Sequence, residues 1–201
     1  MKKLIDEILQ LEWAFFQETS NEGGPASCQE NFETFEIIRG CQFAAWNEDL
    51  LNSYKEDLLE AREIGRNLIA EKYGRMMEST CPERYEKIKM YFPVHDEERT
   101  AIMEQIIAIQ VEWLEEFKAL YPKQAVGTRL IHTSEDTEFD TSAETYLRGE
   151  LATYSGRTLL LYGRHIVALK QQGLNLSTII FTNTAKAYGY ESLEVAKAVR
   201  F

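Results

Sequence analysis

The chain of 201 residues, 44% hydrophobic and 27% charged, is long enough for one substantial core and lies well outside the composition of disordered chains. Its net charge of −11 excludes nucleic acid and anionic membrane as principal partners, because both are gripped mainly by Lys and Arg. The three cysteines, Cys28, Cys41 and Cys81, have no pairing pattern and point to a reduced compartment.

Apolar residues recur every three or four positions almost throughout, which is the period of an α-helix. A first helix is expected over residues 2–18, with Ile5, Ile8, Phe15 and Phe16 on one face, ended by Asn21-Glu22-Gly23-Gly24-Pro25. A second covers 29–46. Asn47 is a suitable N-cap for a long third helix over 48–79. Pro82 opens a short fourth helix that stops before Pro93, and Asp96 caps a fifth that runs to Tyr121. Residues 123–140 are polar, acidic and without period, and are expected to form an exposed loop. Thr141 or Ser142 then caps a second long helix to Gln172, closed by Gly173. A seventh helix over 175–188 stops at Gly189, and a short eighth follows Tyr190. No segment alternates at strand length. The expectation is an all-α single domain of seven or eight helices over 1–201.

Asp6 and Glu7 interrupt the apolar run after Met1-Lys2-Lys3, so no signal-peptide core forms. The longest apolar stretch, around Leu159, Leu160 and Leu161, is far too short to span a bilayer. A cytoplasmic protein is therefore expected. Phosphate-loop, dinucleotide-binding, nucleophile-elbow and zinc-protease motifs are absent, and so is Glu-x-x-His, the signature of di-iron bundles. His95, His132 and His165 are scattered without cysteines at ligand spacing, so no metal site is expected, and no cofactor is assigned.

The informative residues are polar ones on apolar stripes. Glu12 falls in the middle of the stripe formed by Ile5, Ile8, Phe15 and Phe16. Arg39 and Gln42 lie among Phe35, Ile38 and Trp46. Lys72 shares a direction with Tyr54, Leu58 and Ala61, and Gln110 is central on the fifth helix. An unpaired charge in a core costs several kcal/mol, so Glu12, Arg39 and Lys72 must find each other, water or a ligand. Two readings stand: a register-fixing network, or a pocket for a small polar or zwitterionic molecule between helices.

The expected sixth helix adds Glu144 and Arg148, four residues apart with Tyr162 on the same side, and Tyr154 with His165 on its apolar face. Gly149, Gly156 and Gly163 repeat every seven residues, which implies close helix packing. The loop through Gly23-Gly24 to Cys28-Gln29 could hold an anion at a helix start. Cys28 would need a base beside it to act as a nucleophile.

Asn21-Glu22-Gly23-Gly24, Ala26-Ser27-Cys28-Gln29, Gly65-Arg66-Asn67-Leu68, Glu71-Lys72-Tyr73, Arg75-Met76-Met77 and Glu144-Thr145-Tyr146-Leu147-Arg148-Gly149-Glu150-Leu151 together resemble a bacterial family classed as domain of unknown function 4125. The resemblance spans nearly the whole chain. It implies a helical domain without an assigned activity, and a nucleotidyltransferase-like protein as a companion.

Two functions follow as expectations. In the first, a bundle binds a small polar or anionic metabolite. Glu12 and Glu144 serve as acceptors or a base, Arg39, Lys72 and Arg148 as anion contacts, and Gln42, Gln110, Tyr154, Tyr162 and His165 complete the site. Any chemistry would be proton transfer by a carboxylate tuned by burial. In the second, the chain is a non-catalytic partner module for a nucleotidyltransferase-like protein.

Overall fold

The computed structural model describes residues 1–19 and 27–196, with residues 27 and 28 described by backbone alone. Among these residues there are nine α-helices and no strands: α1 (Lys2–Glu18), α2 (Phe32–Phe43), α3 (Glu48–Glu63), α4 (Leu68–Thr80), α5 (Pro82–Ile88), α6 (Glu97–Leu120), α7 (Ala143–Thr153), α8 (Gly156–Gln171) and α9 (Leu176–Ala187). The all-helical fold is as expected, and no helix of the described residues is long and apolar enough to cross a membrane.

Most helix starts follow local chemistry. Asn31, Asn47, Asp96, Ser142 and Asn175 each accept a hydrogen bond from a backbone N–H in the first turn of the helix that follows. Such a cap satisfies one of the donors that a helix start leaves open. The second expected helix is shorter than 29–46, because a 3₁₀ turn, Ser27–Glu30, precedes its Asn31 cap.

Both expected long helices are broken in two. The first ends where Gly65 takes a φ of +70°, letting Arg66 N–H donate to the Ala61 carbonyl and Gly65 N–H to that of Arg62. Asn67 then starts α4 by accepting from the N–H groups of Ile69 and Ala70, while its own amide donates to Phe15 of α1 at 2.8 Å. The second break, at Tyr154–Ser155, uses no left-handed residue. Tyr154 turns extended and the Ser155 hydroxyl accepts from Thr158 N–H. Tertiary partners hold this break open. Arg99 of α6 donates to the carbonyls of Tyr154 at 2.5 Å and Leu151 at 3.4 Å, the His95 ring donates to that of Ala152, and the Asp57 carboxylate accepts from Ser155 N–H. A cation on open carbonyls at a helix C-terminus also complements the helix dipole.

No helix follows Tyr190 up to Ala196. Residues 190–196 form turns that bury Leu193 and Ala196 against Phe117, Phe181 and Ala185. The segment between Tyr121 and Ser142 carries turns over 122–127 and a 3₁₀ turn, Thr133–Glu135, and Gln124 within it is buried, its amide turned toward the carbonyls of Glu194 and Ala196. The main core joins α1, α3, α4, α6, α7 and α8 through side chains such as Ile8, Leu50, Leu58, Ile107, Leu151 and Ile166. Helix α7 lies between α4 and α6, while α2 packs on α1 and α9. The arrangement brings the polar faces of α1, α2, α4 and α7 together inside the fold.

Candidate ligand-binding cavity

Four charged side chains from four helices meet in the interior: Glu12 (0% exposed), Arg39 (6%), Lys72 (3%) and Glu150 (7%). Arg39 is the hub. Its Nε donates to Glu12 Oε2 at 2.8 Å and its Nη2 to Glu12 Oε1 at 2.5 Å, a two-pronged grip. Nη2 also reaches Glu150 Oε1 at 3.0 Å, and Nη1 reaches Gln42 Oε1 and, at 3.5 Å, Glu150 Oε2. All five guanidinium N–H groups are thereby occupied. Tyr54 of α3 donates to Glu12 at 2.6 Å and Tyr154 to Glu150 at 3.1 Å. Lys72 Nζ stands 3.7 Å from Glu150 Oε2 and donates to the Tyr146 hydroxyl at 2.8 Å.

Burial opposes ionisation of Glu150, but Arg39 and Lys72 outweigh it and hold the carboxyl down at about 2. Burial also opposes the charge on Arg39, and Glu12 and Glu150 reverse that effect and raise its pKa. Tyr146 is pushed up to about 12, first by burial and then by Glu150, so its hydroxyl stays protonated and able to donate. Burial and then Glu12 move Tyr54 upward, and burial and then Glu150 do the same for Tyr154. Two carboxylates and two cations balance in this cluster.

Above it opens a cavity of about 370 Å³ between α2, α4, α6, α7 and α9, within the roughly 300–1,000 Å³ common for small-molecule sites. Most of its wall is apolar, including Phe35, Ile38, Leu114, Leu147, Ile180 and Phe181. Glu12, Arg39, Gln42, Lys72, Gln110 and Tyr146 supply polar wall, and Arg129 joins them from the segment before α7. Gln110 accepts from the Tyr162 hydroxyl at 2.9 Å through Oε1, while its buried Nε2 has no hydrogen-bond partner among the described residues.

Of the residues singled out from sequence, Glu12, Arg39, Gln42, Lys72 and Gln110 all line this one cavity. Tyr154 supports it through Glu150, and Tyr162 through Gln110. The expected anion contact from Arg39 is not available, because that guanidinium is consumed by the two carboxylates and Gln42. Glu144 lines the wall, but its carboxylate accepts from Arg148 at 2.8 Å and from Thr133 N–H at 2.8 Å. Arg148 turns away to a separate cleft, where it grips Glu104 at 2.7 and 2.8 Å. His165 lies elsewhere, its ring nitrogen 2.9 Å from the carbonyl of Ala45, and burial lowers its pKa.

The glycine triplet does not form one stripe, because the helix break separates Gly149 from the other two. A Cβ on Gly149 would come within 2.8 Å of the Lys72 carbonyl, and one on Gly163 within 3.2 Å of Ile106, whereas Gly156 faces open space. Gly149 thus sets the close approach of α7 to α4 that delivers Glu150 to Lys72. The Gly23-Gly24 loop and the Cys28 side chain lie outside the described residues.

Glu150, Tyr54 and Tyr146 belong to the cluster and were not selected from sequence. Glu150 carried a usable signal, since Tyr146, Leu147 and Tyr154 flank it at i−4, i−3 and i+4, the test that selects Glu12. The assumption of one continuous helix over 142–172 hid it, by averaging two stripes that belong to different helices.

Residues 2–198 match the family described as “Protein of unknown function (DUF4125)”, and the chain belongs to that family. No curated protein matches the chain, and neither does any solved structure.

Proposed function

We propose that this member of the DUF4125 family binds a small organic molecule in the cavity between α2, α4, α6, α7 and α9, with the charge cluster serving as its rigid floor. One observation carries the reading: a mostly apolar cavity of about 370 Å³ opens between five helices, with Lys72, Gln110, Tyr146 and Arg129 as polar points on its wall.

Stored ion pairs suit a floor better than a reaction. A carboxyl held at about 2, as Glu150 is, makes a weak general base near neutral pH. Arg39, with every N–H engaged, has nothing to offer a substrate. Binding without turnover is therefore the function this geometry favours, whether the protein stores, senses or carries its ligand.

The test is a ligand-observed NMR screen of a metabolite panel against the wild type and Ile180→Trp, which fills the cavity from α9. At least one compound should bind the wild type and lose its signal with the variant, while the melting transition is retained. Binding that Ile180→Trp leaves intact, or no binding across the panel, overturns the reading.

A further inference from the structure

The cavity wall divides unevenly between donors and acceptors. Its carboxylates and these amide oxygens are engaged: Glu12 by Arg39 and Tyr54, Glu144 by Arg148 and Thr133, and Gln42 and Gln110 by Arg39 and Tyr162, while Glu150 beneath the wall is held by Arg39, Tyr154 and Lys72. Two residues on the wall keep a donor without an acceptor among the described residues. Lys72 uses one N–H on Tyr146 and directs another at Glu150 from 3.7 Å, leaving a third. The Tyr146 hydroxyl accepts from Lys72, and its own proton faces no acceptor among the described residues.

Charge is uneven in the same direction. Glu12 and Glu150 cancel Arg39 and Lys72, and Arg148 is shared between Glu144 and Glu104. Arg129 is surplus. Its guanidinium sits 4.6 Å from the centre of the Tyr146 ring and donates to the Thr141 carbonyl at 3.2 Å, with no carboxylate partner among the described residues. Tyr146 thus lies between the Lys72 ammonium, 4.3 Å from its ring centre, and Arg129 at the exposed mouth.

Resting on the cavity reading above, we infer that the ligand is a monocarboxylate with an apolar body. Its head accepts from Lys72 and Tyr146, Arg129 balances its charge at the mouth, and its body lies among Phe35, Ile38, Leu114, Leu147, Ile180 and Phe181. A neutral acceptor would leave Arg129 unused, an amine would bring donors to donors, and a dianion would bring a second charge for which the wall offers no further unpaired cation among the described residues.

Isothermal titration with 3-phenylpropionate, octanoate, 3-phenylpropylamine, 3-phenylpropanol and phenyl phosphate tests it. The proteins are the wild type, Arg129→Ala, Gln110→Glu and Ile180→Trp. Both carboxylates should bind the wild type about tenfold or more tighter than the amine, the alcohol and the phosphate, as charge-assisted hydrogen bonds warrant. Arg129→Ala, an exposed position, should weaken the carboxylates by about three- to fivefold and leave the alcohol unchanged. Gln110→Glu should weaken them by more than tenfold, and Ile180→Trp should abolish binding. An amine, alcohol or phosphate that equals the carboxylates, yet is lost in Ile180→Trp, overturns the ligand class and leaves the cavity reading standing. Carboxylate binding untouched by Ile180→Trp, or no probe binding at all, overturns both.

Discussion

Two arginines in this protein each bridge two glutamates. Arg39 joins Glu12 of α1 to Glu150 of α7 in the interior, and Arg148 joins Glu104 of α6 to Glu144 of α7 with 31% of its side chain exposed. The ion-pair geometry is similar, but the surroundings are not. Around the buried Arg39, two tyrosine hydroxyls and a second cation help satisfy the carboxylates, and Gln42 takes up a remaining guanidinium N–H. Around Arg148 solvent screens the charges and no such retinue is needed. The same chemistry therefore acts as a structural keystone in one place and as surface decoration in the other.

Substitution of each hub should break the comparison most sharply. Arg39→Met leaves two carboxylates buried without their cation and should lower stability by about 3–5 kcal/mol, measured by urea denaturation. Retention of wild-type stability would mean the carboxylates find water or protons at no cost.

Acid comes next. The pKa of Glu150 falls from an ordinary 4.5 to about 2 on folding, so its stabilisation is complete above 4.5 and is lost as pH drops toward 2. Urea midpoints should fall between pH 5 and pH 3 in the wild type and change less in Glu150→Gln. Equal pH slopes would remove Glu150 from the account.

Gly149→Ala should cost about 1–3 kcal/mol, because its methyl would meet the Lys72 backbone and drive α7 away from α4. Gly156→Ala, with nothing within 4 Å, should change the melting temperature little and serves as the control. The smallest effect belongs to Arg148→Met, about 1 kcal/mol or less, and it should shrink further in 1 M salt, where the Arg39→Met effect persists.

Much of the fold was legible because its signals are local. The cap at Asn47, the start at Asp96 and the stops at Gly173 and Gly189 depend on residues within one turn of each other. The break at Gly65 was equally legible, since a glycine followed by Asn67 is a stop followed by a cap. The apolar period carried the reading past it. The break at Tyr154 was not legible in that way. A Ser-Gly pair is a weak signal, and the partners that hold the break, Asp57, His95 and Arg99, lie on other helices.

The site divides along the same line. Periodicity within single helices identified Glu12, Arg39, Lys72 and Gln110 as inward, because a side chain's direction follows from its own helix. It could not pair them. Arg39 meets a carboxylate 27 residues before it and another 111 residues after it. The cost of burying charge demands a partner but does not say which one.

By itself, the sequence determined the helical class, most helix ends, the excess of negative charge and the list of polar residues that had to face inward. The charge is a matter of composition, and the others follow from hydrogen bonds and periodicities that span about four residues. Only the tertiary structure decided that Glu150 completes the cluster, that Arg148 stands apart, and that an open cavity with unsatisfied donors lies above the balanced charges. Those outcomes depend on how closely α7 approaches α4 and α6, a distance set by packing among segments far apart in the chain.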